Sequence, residues 1–284
     1  ATLTSVRHSV FILNLTLPAP HTPTQPPRQS LLRVIERERP NYTEPEAMTA
    51  IDHLADAYDE WEGPGPYKHP AALRMLTVAL IEHMDEQIGR VLDALDANGQ
   101  ASDTLVFFCS DNGGVPENGS SNGPLRSGKA HVYEGGVRVG AAVRWPTQMA
   151  AGTRLDTPMM MMDVLPTFCG LAGVPIPHAV EGRSFLSVLE DGTERPFERD
   201  DIYFFMTETC YRYALRRGNL KVLQDDDPPG RGAYEVYDIA ADPGEHNDLS
   251  NQHIDSTELI AALEAAVSPA REALNAHPRL ATPE

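Results

Sequence analysis

Thr104-Leu-Val-Phe-Phe-Cys-Ser110, followed at once by Asp111-Asn112-Gly113-Gly114, decides the fold class. Seven uncharged residues rich in β-branched and aromatic side chains read as a strand buried on both faces. Asp-Asn-Gly-Gly after it is turn chemistry. Just upstream, Leu73, Leu76, Leu80, Met84, Ile88, Val91, Leu92 and Leu95 recur at helical spacing and stop at Asn98-Gly99, a C-terminal stop signal. Helix, short loop, buried strand and polar loop form the rhythm of an α/β sheet with helices on its faces. In such sheets ligand-binding residues gather beyond the carboxyl ends of strands. Asp111 and Asn112 occupy such an end.

Working outward, residues 9–17 are a second continuous apolar run, ended by Pro18. The proline-rich stretch behind it lacks too many amide donors for helix or ladder, so it is a loop at a strand end, and it carries His21. Thr43-Glu-Pro-Glu46 resembles a capping box, and Met48, Ile51, Leu54, Tyr58 and Trp61 continue it as a short helix. Residues 140–145 read as another strand and 163–173 as a short capped helix, with the Met159 to Met162 run before it serving packing. From about residue 202 the runs shorten: 202–206, 213–215, 220–223 and 234–239 are separated by turn-like stretches, the pattern of antiparallel hairpins. Asp225-Asp-Asp227 reads as a solvated loop tip. A last helix through Leu259, Leu263, Val267 and Ala270 is expected to pack across that sheet. The expectation is therefore an α/β fold, a mixed-sheet sandwich over residues 1–195 with a small C-terminal antiparallel sheet plus helix over 200–284. A helical 234–239 would contradict it.

The totals agree. At 284 residues and 41% hydrophobic composition the chain can bury one large core, or one main core and a smaller satellite. Forty-one acidic residues against 23 basic ones, a formal net charge of -18, argue against nucleic acid or an anionic membrane surface as main partner. A small anion is not excluded, because a local field is set by the nearest charges. Cys109, Cys169 and Cys210 show no metal-ligand spacing and read as buried thiols. No apolar run of about 18 residues predicts a membrane span. The chain opens without Met and almost directly in a strand, which reads as an interior start.

Each candidate site residue has a plain structural reading beside a chemical one. Asp111 and Asn112 offer the oxygen ligands that a hard divalent cation takes, or else form an ordinary turn. Lys129, in Leu125-Arg-Ser-Gly-Lys-Ala-His-Val-Tyr-Glu134-Gly-Gly-Val-Arg138, is a point charge among small residues that an oxyanion can approach closely, or else a solvated loop cation. Glu134 and Arg138 stand at helical spacing and can pair with each other. His21 is held by a stiff backbone where a proton donor to a leaving group would serve, yet a lone loop histidine usually has no such role.

Order and combination separate these readings. The chain resembles the sulfatase family of the alkaline-phosphatase-like superfamily. The resemblance runs through Phe11-Ile-Leu-Asn-Leu-Thr-Leu-Pro-Ala-Pro-His21-Thr-Pro, Glu82-His-Met-Asp-Glu-Gln-Ile-Gly-Arg-Val-Leu92, Phe107-Phe-Cys-Ser-Asp-Asn-Gly-Gly114, the Lys129 segment and Arg144-Trp-Pro146. It continues in Asp163-Val-Leu-Pro-Thr-Phe, Glu181-Gly-Arg-Ser-Phe-Leu and Tyr237-Asp-Ile-Ala-Ala-Asp-Pro-Gly-Glu-His-Asn-Asp-Leu249. It implies that Asp111 and Asn112 ligate Ca²⁺, that Lys129 contacts sulfate, and that His21 contacts sulfate or protonates the leaving oxygen. The substrate it implies is a small anionic sulfate ester.

Several landmarks that the resemblance implies are missing: two aspartates near the family's first strand, a Lys-x-His pair, and the motif, with its arginine, that carries the nucleophile. The nucleophile that the resemblance implies is a formylglycine made from the Cys or Ser of a Cys/Ser-x-Pro/Ala-x-Arg motif. Cys109 is followed by Ser-Asp-Asn, Cys169 by Gly-Leu-Ala and Cys210 by Tyr-Arg-Tyr, so none fits. The chain is thus expected to be the C-terminal two thirds of a sulfatase, with the formylglycine coming from an absent N-terminal segment that would be its partner, and to be inactive alone. The alternatives are a non-catalytic remnant and a phosphonate or phosphodiester hydrolase on the same scaffold.

Overall fold

The computed structural model describes residues 26–57, 69–176, 178–191, 201–206, 212–225, 233–252 and 256–276. The strand expected over 9–17, the His21 loop and Cys210 lie outside them. The elements alternate as a mixed α/β fold: helices α1 (Arg28–Glu38), α2 (Pro45–Ala57) and α3 (Pro70–Ala97) precede strand β1 (Val106–Cys109). Helix α4 (Glu134–Val137), strand β2 (Ala141–Arg144) and helices α5 (Val164–Ala172) and α6 (Leu186–Asp191) follow. The C-terminal part holds β3 (Asp201–Met206), β4 (Arg212–Arg217), β5 (Leu220–Asp225), β6 (Glu235–Asp238) and α7 (Thr257–Ala276).

Helix α3 begins where Pro70 supplies a preset φ and the His69 ring accepts the Ala71 amide at 3.2 Å. It ends at the expected stop, with Gly99 at φ 66° and the Gln100 amide returning to the Leu95 carbonyl at 2.9 Å. Its first half buries Ala72, Met75, Leu76 and Ala79 against Leu31, Val34, Ile51 and Leu54 of α1 and α2. The same turns fix the loop beyond β1: Thr77 Oγ1 donates to the Asn118 carbonyl at 2.7 Å, and Arg74 Nη1 to the Gly119 carbonyl at 3.1 Å.

β1 pairs antiparallel with β2, Val106 facing Arg144 and Cys109 facing Ala141. The uncharged run is a strand as read, but it is not buried on both faces. Phe108 is 41% exposed, and Phe107 packs on Phe185 with ring centroids 5.9 Å apart. Among the described residues only β2 pairs with β1, and a two-stranded ribbon cannot cover its own faces.

The C-terminal sheet is a meander ordered β3-β4-β5-β6, antiparallel throughout. Strand alternation sorts its faces. Tyr213, Leu215, Val222 and Val236 meet Leu259, Leu263 and Val267, the i, i+4, i+8 stripe of α7. Burying each of those helix side chains is worth roughly 1.5–3 kcal/mol. Ala214, Leu223 and Tyr237 face the other way and pack on Val132 and Tyr133 of the Lys129 segment. Residues 235–238 are strand and α7 lies across the sheet, as expected.

At the sheet's edge Arg217 grips Asp201 with Nε at 2.6 Å and Nη2 at 2.9 Å. Those bonds, reinforced by the Tyr203 hydroxyl, hold the Asp201 carboxyl below the usual carboxylate range against the opposing effect of burial. The pair's contribution is therefore complete above the unfolded value of about 3.9 and is lost as pH falls through the lower folded pKa. Asp201→Asn is expected to cost no more than about 1 kcal/mol at pH 7, since the pair is partly solvated. The difference from wild type should vanish in unfolding titrations taken well below pH 3.9. A cost that persists there would point to lost packing instead.

Candidate functional site

Asp111 and Asn112 emerge directly beyond β1, at a strand's carboxyl end, with Asp111 exposed and Asn112 half-buried. Asp111 Oδ1 accepts the Asn112 amide at 2.9 Å, which folds the turn back on itself. Asn112 donates through Nδ2 to the Gly113 carbonyl at 2.9 Å, so its side-chain oxygen is the atom a cation would meet. Both donors are hard oxygens, the chemistry a divalent ion such as Ca²⁺ takes. They fit part of such a shell. No group of three or more His, Cys, Asp or Glu side chains among the described residues supplies the rest.

The next two residues join this turn to the Lys129 segment. The Gly113 amide donates to the Gly136 carbonyl at 2.9 Å, and the Gly114 carbonyl accepts the Lys129 amide at 3.1 Å. Asn122 bridges the same junction, its Oδ1 accepting from the Gly114 amide at 2.9 Å and its Nδ2 donating to the Ser127 carbonyl at 2.8 Å. The approach is so close that a Cβ on Gly113 would lie 1.7 Å from the Gly135 carbonyl oxygen. The structure thus brings Asp111, Asn112 and Lys129 onto two interlocked loops at one end of β1. Lys129 itself is exposed.

Beneath the Lys129 segment lies a layer of charge that the sequence reading did not identify. Lys221 of β5 is fully buried, its Nζ 2.9 Å from Glu134 Oε1 and 2.8 Å from Glu245 Oε1. Glu245 Oε2 also accepts the Glu134 amide at 2.6 Å. Burial pushes the Glu245 carboxyl up, and Lys221 pulls it back down. Glu134 does approach Arg138, as its spacing suggested, but only at 3.8 Å, and its principal partner is Lys221.

A second polar cluster flanks the first. Arg126 Nη1 donates to the Tyr237 hydroxyl at 2.9 Å and the Glu245 backbone carbonyl at 3.1 Å, with its guanidinium 3.9 Å above the Tyr133 ring. The Tyr133 hydroxyl donates to Glu235 at 2.8 Å. Burial first, then the Glu235 bond, pushes the Tyr133 and Tyr237 hydroxyls well up, so both stay protonated donors.

Asp225 is a correction to the sequence reading. It is no solvated tip: its side chain is 2% exposed and stands against Arg212 and the backbone of the Lys129 segment. The missed signal is strand parity. Lys221, Leu223 and Asp225 alternate along β5, and the face that places Leu223 on Val132 also aims the two charged residues at the same segment. Cys109 and Cys169 are free thiols; burial, and then Asp111, push the Cys109 thiol up. No described helix is long and apolar enough to cross a membrane.

Comparison with known proteins agrees with this architecture. A C-terminal N-sulphoglucosamine sulphohydrolase model matches residues 127–273. Human steryl-sulfatase is 37% identical over 146 residues, a stretch covering 48% of this chain and 24% of that protein. Among solved structures, Ps i-CgsB in complex with k-i-k-neocarrahexaose superposes with a TM-score of 0.65 at 25% identity, covering 89% of this chain and 48% of that one. The phosphonate monoester hydrolase of Agrobacterium radiobacter shares the fold, with a TM-score of 0.53 at 22% identity over 76% of this chain and 44% of its own. The chain thus spans less than two thirds of the length of these relatives. The sulfatase model matches residues 9–174, more than half of the chain, and with the ordered landmarks and the interlocked loops it establishes that the chain belongs to the sulfatase family.

Proposed function

We propose that the chain contributes the anion- and cation-binding part of a sulfate-ester hydrolase site. The observation that supports it is the pair of backbone bonds that join the turn following Asp111 and Asn112 to the loop carrying Lys129, so that the two segments meet at one end of β1. Lys129 binds a sulfuryl oxygen as a point charge, gaining most as negative charge develops there. Asp111 and Asn112 would hold Ca²⁺, which would supply further positive charge to stabilise a sulfuryl group. His21 contacts the sulfate or delivers a proton to the departing oxygen. The substrate is a small anionic sulfate ester.

Formylglycine does not fit this chain, because no cysteine or serine here lies in a Cys/Ser-x-Pro/Ala-x-Arg motif, so no covalent step is assigned to residues 1–284. The purified chain is expected to hydrolyse a chromogenic aryl sulfate no faster than its Lys129→Ala variant. Completed with a segment bearing formylglycine, it is expected to turn over, and there Lys129→Ala should lower kcat by about 100- to 1000-fold. Calcium-dependent turnover by the chain alone, abolished by Lys129→Ala, would overturn this mechanism. The fold shared with a phosphonate monoester hydrolase supports a second reading, in which phosphorus replaces sulfur at the same tetrahedral site. A phosphonate monoester run in the same assay decides between the two.

A further inference from the structure

Two residues that bracket Lys129 hold left-handed backbone conformations, Ser127 at φ 62° and Ala130 at φ 72°. A residue with a Cβ keeps such a conformation only where its surroundings over-determine it. At Ser127 the Asn122 amide takes the carbonyl. Around Ala130 the grip comes from the C-terminal sheet. Arg212 Nη1 donates to the Ala130 carbonyl at 2.5 Å. Asp225 Oδ2 accepts the Val132 amide at 3.0 Å, and its Oδ1 lies 3.0 Å from His131 Nδ1, which makes Nδ1 the protonated ring nitrogen because a carboxylate only accepts. Arg212 Nε stands 2.7 Å from Asp225 Oδ1, a charge contact between side chains 11% and 2% exposed.

A buried carboxylate is costly unless each of its lone pairs is used. Every Asp225 partner named here either belongs to residues 130–132 or touches them. We propose that Asp225 and Arg212 are positioning residues for the anion site: as one clamp they hold the strained turn after Lys129 and so fix where its ammonium stands. The proposal rests on Lys129 being the sulfate contact. It gives the C-terminal sheet a part in anion recognition beyond packing.

The test is titration of residues 1–284 with inorganic sulfate, followed by the backbone amide resonances of Gly128 and Lys129. Asp225→Asn, close in shape but uncharged, is expected to weaken sulfate binding by about tenfold or more, within the roughly 100-fold that a misplacement of about an ångström can cost. Because the clamp acts through Lys129, adding Asp225→Asn to Lys129→Ala should cause no further loss, whereas a general structural role would give additive losses. Ala130→Gly should restore part of the affinity of Asp225→Asn, since glycine adopts that φ without a Cβ penalty. Asp201→Asn, which breaks the ion pair at the sheet's far edge, should leave the affinity unchanged. Arg212→Lys keeps the charge but lacks the second arm that reaches Ala130, and it should lose affinity as Asp225→Asn does. Unchanged affinity in Asp225→Asn and Arg212→Lys, or additive losses in the double variant, would overturn the clamp while leaving Lys129 as the contact. Unchanged affinity in Lys129→Ala would instead refute the anion-site reading on which the clamp depends.

Discussion

Lys221→Ala is expected to destabilise the protein by about 3–5 kcal/mol, the cost of removing one partner from a buried ionic group. Lys221 is the only cation within 3 Å of Glu134 Oε1 and Glu245 Oε1 among the described ion pairs, and neither glutamate side chain is more than 2% exposed. Without it two carboxylates face each other in a space closed to water, and Arg138, 3.8 Å from Glu134, reaches only one of them. Glu245→Gln should cost much less. Burial already pushes that carboxyl up, so its ionised form is the one folding disfavours. A carboxyl raised in this way adds stability below its unfolded value and loses it as pH rises through the folded pKa, and glutamine removes that loss. Urea unfolding at pH 7 measures both variants. Equal costs for the two would mean that the triad does not hold the segment through charge.

Gly113→Ala is the second large effect, and it acts on the site itself. The added methyl would meet the Gly135 carbonyl oxygen at 1.7 Å, and the obstructing atom is backbone, with no flexible side chain to swing away. The two loops must separate, at an expected cost of about 3 kcal/mol or more. That separation also breaks the bond from the Gly113 amide to Gly136, moving Asp111 and Asn112 away from Lys129. Gly140→Ala is the matched comparison, because a methyl there meets nothing within 4 Å, and it should change stability by less than about 0.5 kcal/mol. Thermal unfolding of the two variants side by side is the measurement. Equal midpoints would show that the loops are not packed as described.

Much of this was readable along the chain. The periodicity and stop signal of α3, the strand before Asp111, the meander and the apolar stripe of α7 all depend on residues within a turn or two of one another, where local geometry dominates. The helix α1 went unread because the proline-rich stretch before it dominated the local signal, although Leu31, Val34 and Ile35 pack into the helical core. The candidate site was legible only in part. Asp111 and Asn112 stand at a strand end by sequence, but their closeness to Lys129 depends on hydrogen bonds between loops.

By itself the sequence determined the types of most elements, the family landmarks, the acidic net charge and the lack of a convertible cysteine or serine, since each is written in residue identity and short-range spacing. The tertiary structure alone decided that Asp225 is buried, that Glu134 turns to Lys221 more closely than to Arg138, and that the C-terminal sheet holds the turn after Lys129. Lys221 and Glu134 are 87 positions apart, and the amide of Glu134 meets Glu245 across 111. No local spacing encodes such a meeting. It follows from which face of β5 looks inward, and that is settled only when α7 takes the opposite face and leaves the Lys129 segment to neutralise the charges that remain.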